Sequence, residues 1–451
     1  MTSFGNSKAV KHVAVVGAGL SGLTAALRLQ QRGFETTIFE ATDGPGGRAS
    51  SVEKDGFIID TGATALATSY DSYLPLIEEL GLSDEIVAQC SVMGVLRGDK
   101  VHLLDMKDPT AGLKTGLLSM GSKLKLVRVL IDAFKAKRAG MLKNSDMYRA
   151  ASLDVESASE YTLRKLNKEI LDYLVSPIVR IMLMTDPYKA TKVELLSGIS
   201  NVFGSKIMAL KGGVGHLANV MAKDLKPLYN TTVTAVRETR NSVEIAFKQN
   251  GVVETRTFDA AVVATTLPVA IDICGGAYAP LTKLASTLKY VPGLTVGVAM
   301  KRKPDSPAFT VLVPSVEDSE IALAFLDHNK SPDRAPEGKG LVDFHWETSA
   351  AARMANASDE QIIARTMETS RRLFPEVGDD IEFAYVKRWS ASLPFTSVGS
   401  YRAIGEFVRT MNEKGLVQFA GDYMSMAGQN TAVEMGNRAA SRIDKIFNGA
   451  K

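Results

Sequence analysis

Short apolar runs and helical periodicity alternate along this chain. Lys11-His-Val-Ala-Val-Val16 reads as a buried parallel strand, since its apolar residues run consecutively rather than alternating. Leu23-Thr-Ala-Ala-Leu-Arg-Leu29 is a good helix former, and Thr36-Thr-Ile-Phe39 is a second apolar strand. Further on, Ser242-Val-Glu-Ile-Ala-Phe247 alternates, Asn250-Gly251 signals a hairpin, and Phe258-Asp-Ala-Ala-Val-Val-Ala264 is another buried strand. Residues 157–184 predict a helix with Leu163, Leu166, Ile170, Leu171, Leu174 and Ile178 on one face. Strands are predicted at 294–300, 309–313, 321–326 and 341–346. A helix over 359–373 begins at Ser358, a cap with Gln361 three residues on.

Between the first strand and its helix lie Gly17, Gly19 and Gly22, and the second strand ends at Glu40, 18 residues past Gly22. Strand, glycine turn, helix, strand and acid make up the dinucleotide fingerprint in its required context. Gly17 makes the tight turn, Gly19 lets backbone approach a pyrophosphate, and Gly22 lets helix and strand pack closely. The helix N-terminus faces the phosphate charge. Glu40 can accept from both ribose hydroxyls, which argues against a 2′-phosphorylated nucleotide. This pattern alone leaves the choice between FAD and NAD open.

The continuation narrows it. Glu40-Ala-Thr-Asp-Gly-Pro-Gly46-Gly47-Arg48 is followed by Asp60-Thr-Gly62-Ala63-Thr64. A middle piece reads Lys211-Gly-Gly-Val-Gly-His-Leu217, then Asn230-Thr-Thr-Val233. A carboxyl-terminal piece reads Phe419-Ala-Gly421-Asp422, then Gly428-Gln-Asn-Thr431-Ala432-Val-Glu434-Met-Gly436. In this order, nearly end to end, the chain resembles the FAD superfamily of flavin amine oxidases, protoporphyrinogen oxidases and phytoene-type desaturases. The resemblance implies an α/β Rossmann-like FAD-binding domain of glutathione-reductase-like architecture with a second, α+β substrate-binding domain. It implies that Gly46 and Gly47 wrap the cofactor, with Gly62, Ala63 and Thr64 also against it. Arg48 is placed at the pyrophosphate or flavin, and Val233 pairs its backbone with adenine. Asp422, beside Gly421, is placed on ribityl or phosphate oxygens, and the helix near Thr431 and Ala432 points its N-terminus at the flavin.

The implied FAD-binding domain is discontinuous, covering 8–68, 205–268 and 412–449. Residues 69–204 and 269–411 are expected to fold together as the substrate domain. From Lys114 to Lys143 there are eight basic residues and one acid, Asp132, interleaved with apolar ones. A basic amphipathic helix could rest on an anionic membrane or cover a substrate entrance. The expected arrangement is a solvated helix whose apolar face lies on its own core.

Bulk composition adds limits. With 53 basic and 50 acidic residues the net charge of +3 supplies no concentrated patch for nucleic acid. Cys90 and Cys274 are far apart and fit a reducing compartment. The five histidines make no close-spaced set, so no metal is expected. Met1–Val10 lacks the apolar run of a signal peptide, and no stretch of 18 apolar residues occurs, so cytoplasm is the expected location. The expected partners are a small-molecule substrate, oxygen or a quinone as electron acceptor, and a second copy of the chain.

Candidate catalytic residues are Trp389, His345, Tyr401 and Tyr423, with Arg180 and Arg388 as conceivable anchors for a substrate carboxylate. Two departures from the amine oxidases bear on chemistry. Gly428 stands where those enzymes carry a cage tyrosine, and Leu294-Thr-Val-Gly-Val298 lacks their strand lysine. Gly428, Glu434 and Gly436, with Arg164–Asn167 and Leu174–Pro177, look closer to protoporphyrinogen oxidase-like proteins. The expected reaction is hydride removal from a ring carbon with proton loss, giving a double bond. An amine oxidase with an atypical pocket, and a non-catalytic flavin-binding protein, are the alternatives.

Overall fold

The computed structural model describes residues 10–449 apart from 89–90, 109, 203–205, 277 and 378–379. Cys90, the stretch Met1–Ala9 and residue 205 at a proposed domain edge lie outside the described residues.

A four-stranded parallel sheet draws its strands from distant parts of the chain, in the order Val417–Phe419, Ala260–Val263, His12–Val16, Glu35–Phe39. Both faces are covered, and Val13, Ala14, Val15 and Val263 have no exposed surface. The helix Leu20–Gln31 packs along the carboxyl-terminal helix Gln429–Asn448, where a side chain at Gly436 would collide with the Ser21 carbonyl. A three-stranded antiparallel sheet, 231–258, lies beside it. Its hairpin has Asn250 at φ 50° and Gly251 at φ 83°, the pair of left-handed residues that a tight turn of this kind requires.

The second body is a seven-stranded sheet in the order Ile381–Phe395, Lys289–Met300, Gly340–Trp346, Ile321–Leu326, Thr310–Leu312, Val92–Arg97, Lys100–Asp105. The helix Asp359–Leu373 begins in a reciprocal capping box between Ser358 and Gln361, and its apolar residues join the core on one face of this sheet. Above the sheet lies a helical layer. The predicted helix 157–184 is broken there: Leu166 leaves helical geometry, and the Asn167 side chain caps a new start by accepting from the Ile170 N–H. A π-turn over Leu171–Val175 then precedes Ser176–Leu183, where Pro177 supplies no backbone donor.

Two expectations need correction. Helices Ala279–Thr287 and Ser400–Thr410, assigned to the second domain by sequence, pack on the first core through Leu281, Leu284, Ile404 and Phe407. Their apolar faces are where that core is completed. The basic helix Met120–Arg138 meets the expectation only in part. It rests on the protein through Leu126, Val129, Ala133 and Ala136, while Met120, Leu124, Val127, Ile131 and Phe134 face outward.

The two bodies are joined by buried charge. Asp60, at the end of the strand Phe57–Asp60, accepts from Arg334 at 2.9 Å and lies 3.6 Å from Lys330, all three without exposed surface. Lys330 also contacts Asp327 at 2.6 Å. Burial pushes the Asp60 carboxyl up, but Arg334 and Lys330 outweigh it and hold the group below the usual carboxylate range. Asp327 goes the other way: burial, with Asp343 and Asp60 adding and Lys330 opposing, pushes it up to about 6.

Asp60→Asn leaves the buried Arg334 without its carboxylate partner and Lys330 with Asp327 alone. It is expected to cost about 3–5 kcal/mol of unfolding free energy in denaturant melts; a loss below about 1 kcal/mol would mean the cations find water. Asp327 gives a pH signature. The folded protein keeps a proton on Asp327 that the unfolded chain releases near pH ~4, so this group's contribution to stability falls as pH rises from about 4 to about 6. Asp327→Asn should flatten that part of the stability profile, and an unchanged slope would refute the assignment.

Candidate functional site

The glycine turn is built as the fingerprint requires. Gly17 has φ 102°, donates its N–H to the Phe39 carbonyl at 2.8 Å, and would drive a Cβ to 2.9 Å from the Ala264 carbonyl. A Cβ on Gly22 would overlap the Gly17 carbonyl, so helix and turn touch through backbone. Gly19 caps the helix with no side chain, and Gly46 bonds back to the Ala18 carbonyl at 2.9 Å. Gly47 lies against the Gly19 Cα. Glu40 accepts from the Ala18 N–H at 2.7 Å and from the Thr42 N–H at 2.9 Å. The Glu40 carbonyl takes the Thr231 N–H at 2.8 Å, which brings Val233, two residues along its strand and nearly buried, to the same edge.

Arg48 and Asp422 were each expected to face a cofactor; the structure pairs them with each other. Arg48 donates to both Asp422 oxygens at 2.8 and 3.0 Å and to the Ser392 carbonyl at 2.9 Å. The Tyr290 hydroxyl donates to Asp422 at 2.8 Å, and the guanidinium lies 5.5 Å from the Tyr290 ring centre. Burial works against the Arg48 charge, but Asp422 and Tyr290 outweigh it and raise its pKa. Burial and the Asp422 charge raise Tyr290, keeping it a donor. Tyr290 went unnoticed in the sequence because nothing local marks a strand-end tyrosine as the third member of this group.

The loop 61–64 is gripped from several sides. Ala63 donates to the Arg48 carbonyl at 2.9 Å, and a side chain on Gly62 would strike that same carbonyl. The Thr61 carbonyl accepts from Trp389 Nε1 at 2.6 Å, and the Thr64 carbonyl from the Lys330 ammonium at 3.0 Å. Lys330 was also missed, since Asn329-Lys-Ser-Pro332 reads as an exposed turn. The carboxyl-terminal helix is tied to the same region: Gln429 donates to the Ala65 carbonyl at 3.0 Å, and the Asn430 side chain accepts from Ser72 and Tyr73. Its cap, Gly428, offers no side-chain acceptor. Thr431, buried, donates to the Asn144 carbonyl at 3.2 Å, and Ala432 follows half-buried. Gly421 extends along the Tyr423 ring just before Asp422.

Over this loop lies one face of the seven-stranded sheet. Its register lines up Lys387, Thr295, His345, Leu323, Leu312, Val95 and His102 across the strands. That row is polar at Lys387, Thr295 and His345, apolar through Leu323, Leu312 and Val95, and closes on His102 at the far edge. His345 is nearly buried, with Nε2 3.1 Å from Asp343 and its ring 5.4 Å from Phe325 in edge contact. The next row holds Gly297, where a Cβ would come 2.8 Å from Ile59. The sheet and the cofactor-side strand thus meet directly at this point.

Other candidates are not presented here. Tyr401 has no exposed surface and gives its hydroxyl to Glu194, whose carboxyl burial pushes up. Tyr423 is buried against Phe407, its hydroxyl unpartnered among the described residues. Arg180 is spent on the carbonyls of Val313, Asp318 and Ser319. Arg388 points to the other side of its strand from Trp389 and holds Asp359 at 2.6 Å. His216 pairs with Glu85 at 2.7 Å.

The residues fit a dinucleotide. Two helix N-termini lack side-chain caps, glycine backbone lines the approach between Gly19 and Gly47, and an acid ends the second strand. Comparison with known proteins agrees. A tobacco (Nicotiana tabacum) mitochondrial protoporphyrinogen oxidase is 26% identical over 492 residues, covering 96% of this chain and 94% of that one. A coproporphyrinogen III oxidase of Staphylococcus aureus is 23% identical, covering 87% and 90%. The solved cyclohexylamine oxidase of Brevibacterium oxydans superposes with a TM-score of 0.75 at 17% identity, covering 97% and 99%, a likeness of fold. The sequence model of the family described as flavin containing amine oxidoreductase matches residues 20–444. This chain belongs to that family and is an FAD-dependent oxidoreductase.

Proposed function

We propose that this enzyme takes hydride from carbon of an alicyclic or porphyrinogen-like ring, with loss of a proton to leave a double bond, and that it does not act on amines. The observation that carries this reading is Gly428. Its φ of 151° is a conformation that side-chain-bearing residues rarely adopt, so the cage tyrosine of the amine oxidases has no place here. Gly297 agrees, because a side chain there would come 2.8 Å from Ile59, and the stretch Leu294–Val298 carries no lysine. The porphyrinogen-oxidising relatives support the same direction.

Bound FAD supplies the hydride acceptor. The chain's own residues do the rest. Gly17, Gly19, Gly22, Gly46 and Gly47 would hold the phosphates by backbone, Glu40 the ribose, and Val233 the adenine. Arg48, Asp422 and Tyr290 act as one unit at the ribityl and flavin end, and Gly62, Ala63 and Thr64 form the loop beneath the sheet. Trp389 fixes that loop through Thr61. The apolar stretch of the sheet row, Leu323, Leu312 and Val95, excludes water from the ring. His345 is the proton acceptor on this face: with Nε2–H given to Asp343, Nδ1 is left free to accept. Oxygen or a quinone removes the electrons.

Arg48→Ala should weaken FAD retention ~10-fold or more, the effect of losing a charge-assisted contact of about 1.5–3 kcal/mol. Flavin content of the purified protein reads this directly, and full retention would remove Arg48 from the cofactor's support. The reaction is tested by anaerobic bleaching of the yellow flavin with porphyrinogens, cyclic ketones, ring acids and amines. Ring-carbon donors should bleach it, and His345→Gln should slow them ~10²-fold without changing flavin content. Rapid bleaching by amines alone would restore the amine reading; bleaching by none of the panel would favour the non-catalytic one.

A further inference from the structure

Arg180 and Arg388, the two cations expected to hold a substrate carboxylate, are both engaged elsewhere. The residue beside Arg388 is not. Lys387 shares its face of the strand Ile381–Phe395 with Trp389, the face on which Gly297 and Tyr385 turn toward Phe57 and Ile59. Its Nζ lies 4.4 Å from the Trp389 ring centre. The same ring gives its Nε1–H to the Thr61 carbonyl at 2.6 Å, so the loop 61–64 fixes the surface on which the ammonium rests. Other cations at or beside that loop are matched by carboxylates: Arg48 by Asp422, Lys330 by Asp327 and Arg334 by Asp60. Lys387 has no ion pair among the described residues. The row that starts at Lys387 also deepens as it crosses the sheet. Lys387 and Trp389 are partly exposed, whereas Thr295 and His345 keep only 6% and 4% of their surface.

We infer that Lys387, held on the Trp389 ring, binds a carboxylate carried by the ring that the flavin oxidises, and so selects acidic over neutral ring substrates. This rests on the ring-carbon reading above. An ammonium with one side against an indole keeps donors free for an anion, and partial burial strengthens that attraction over its value in open water. The phosphates of a dinucleotide are provided for at the glycine turn by backbone, which leaves this ammonium to another anion. Lys387 and His345 are separated by the one strand that carries Thr295. Their backbones therefore stand ~10 Å apart, at about 4.8 Å per strand. A six-membered ring with its carboxylate bridges such a gap. With the acid on Lys387, the carbon that faces His345 lies across the ring from the carbon bearing the carboxylate.

The test is calorimetric titration of the holoenzyme with cyclohexanecarboxylate and with its neutral methyl ester, beside the variants Lys387→Met and Lys387→Arg. Wild type should bind the acid at least ~10-fold more tightly than the ester, the effect of one charge-assisted contact. Lys387→Met should abolish that preference while ester binding, flavin content and melting temperature stay as they were, and Lys387→Arg should retain it. In anaerobic bleaching, Lys387→Met should raise the concentration of a carboxylated ring donor needed for half-maximal rate by ~10-fold or more. The inference is overturned if wild type binds the acid no more tightly than the ester, or if Lys387→Met binds the acid as tightly as wild type. A preference for the acid that depends on Lys387, with no ring donor bleaching the flavin, would overturn the ring-carbon reading and leave Lys387 as a carboxylate site. Bleaching by ring donors with no such preference would overturn the carboxylate site alone.

Discussion

Arg48 draws three remote parts of the chain to one point: the Ser392 carbonyl, the Asp422 carboxylate and, through that carboxylate, the Tyr290 hydroxyl. A guanidinium that is largely withdrawn from water must satisfy its donors, and a planar fork meets a carboxylate best when both oxygens are in reach. That requirement sets where the last strand of the parallel sheet hands over to the carboxyl-terminal helix. It also sets where the two long strands of the other sheet begin to part. The strand pairing is interrupted between Val291 and Gly293, beside the residues that reach for this centre. The cofactor-binding body and the sheet above it are therefore registered through a polar contact as well as through apolar packing.

The Asp60 cluster performs the same office on the far side of the loop 61–64. Lys330 spans from Asp327 to the Thr64 carbonyl, while Arg334 fastens the strand that leads into the loop. The loop is held at one end by Arg48 and Trp389 and at the other by Lys330. Such a backbone is pre-shaped before any ligand arrives, which lowers the ordering cost of binding. Buried ionic groups are seldom the cheapest way to stabilise a core, so their concentration around one loop argues for position rather than for bulk stability.

How much of this could be read from the sequence depended on whether the determinant was local. Gly17, Gly19, Gly22 and Glu40 were legible because each answers a backbone demand within one strand–turn–helix unit. Ser358 with Gln361, and Asn250 with Gly251, were legible for the same reason. Arg48 and Asp422 were recognised separately, but their pairing spans 374 residues and has no local trace. Tyr401 and Tyr423 looked like reactive hydroxyls, yet a tyrosine gives no sequence sign of whether it faces a cleft or a core. The helix Met120–Arg138 was only partly legible because its lysines are spread around it, with Lys123 and Lys135 beside its outward apolar residues and Lys125 toward the anchored side; only the buried face shows which side is anchored.

That helix and the oxidising site share one apolar body. Leu117 and Leu118, just before the helix, pack with Val95, Leu312, Leu323 and Phe325, and Leu126 from the helix joins them. Val95, Leu312 and Leu323 are also the apolar stretch of the row that begins at Lys387, Thr295 and His345. The hydrocarbon of this row thus continues into the base of the helix, with His102 closing the row at the sheet edge. A polar substrate would meet rising desolvation cost along this direction, whereas a largely apolar ring with one polar edge would be aligned by it.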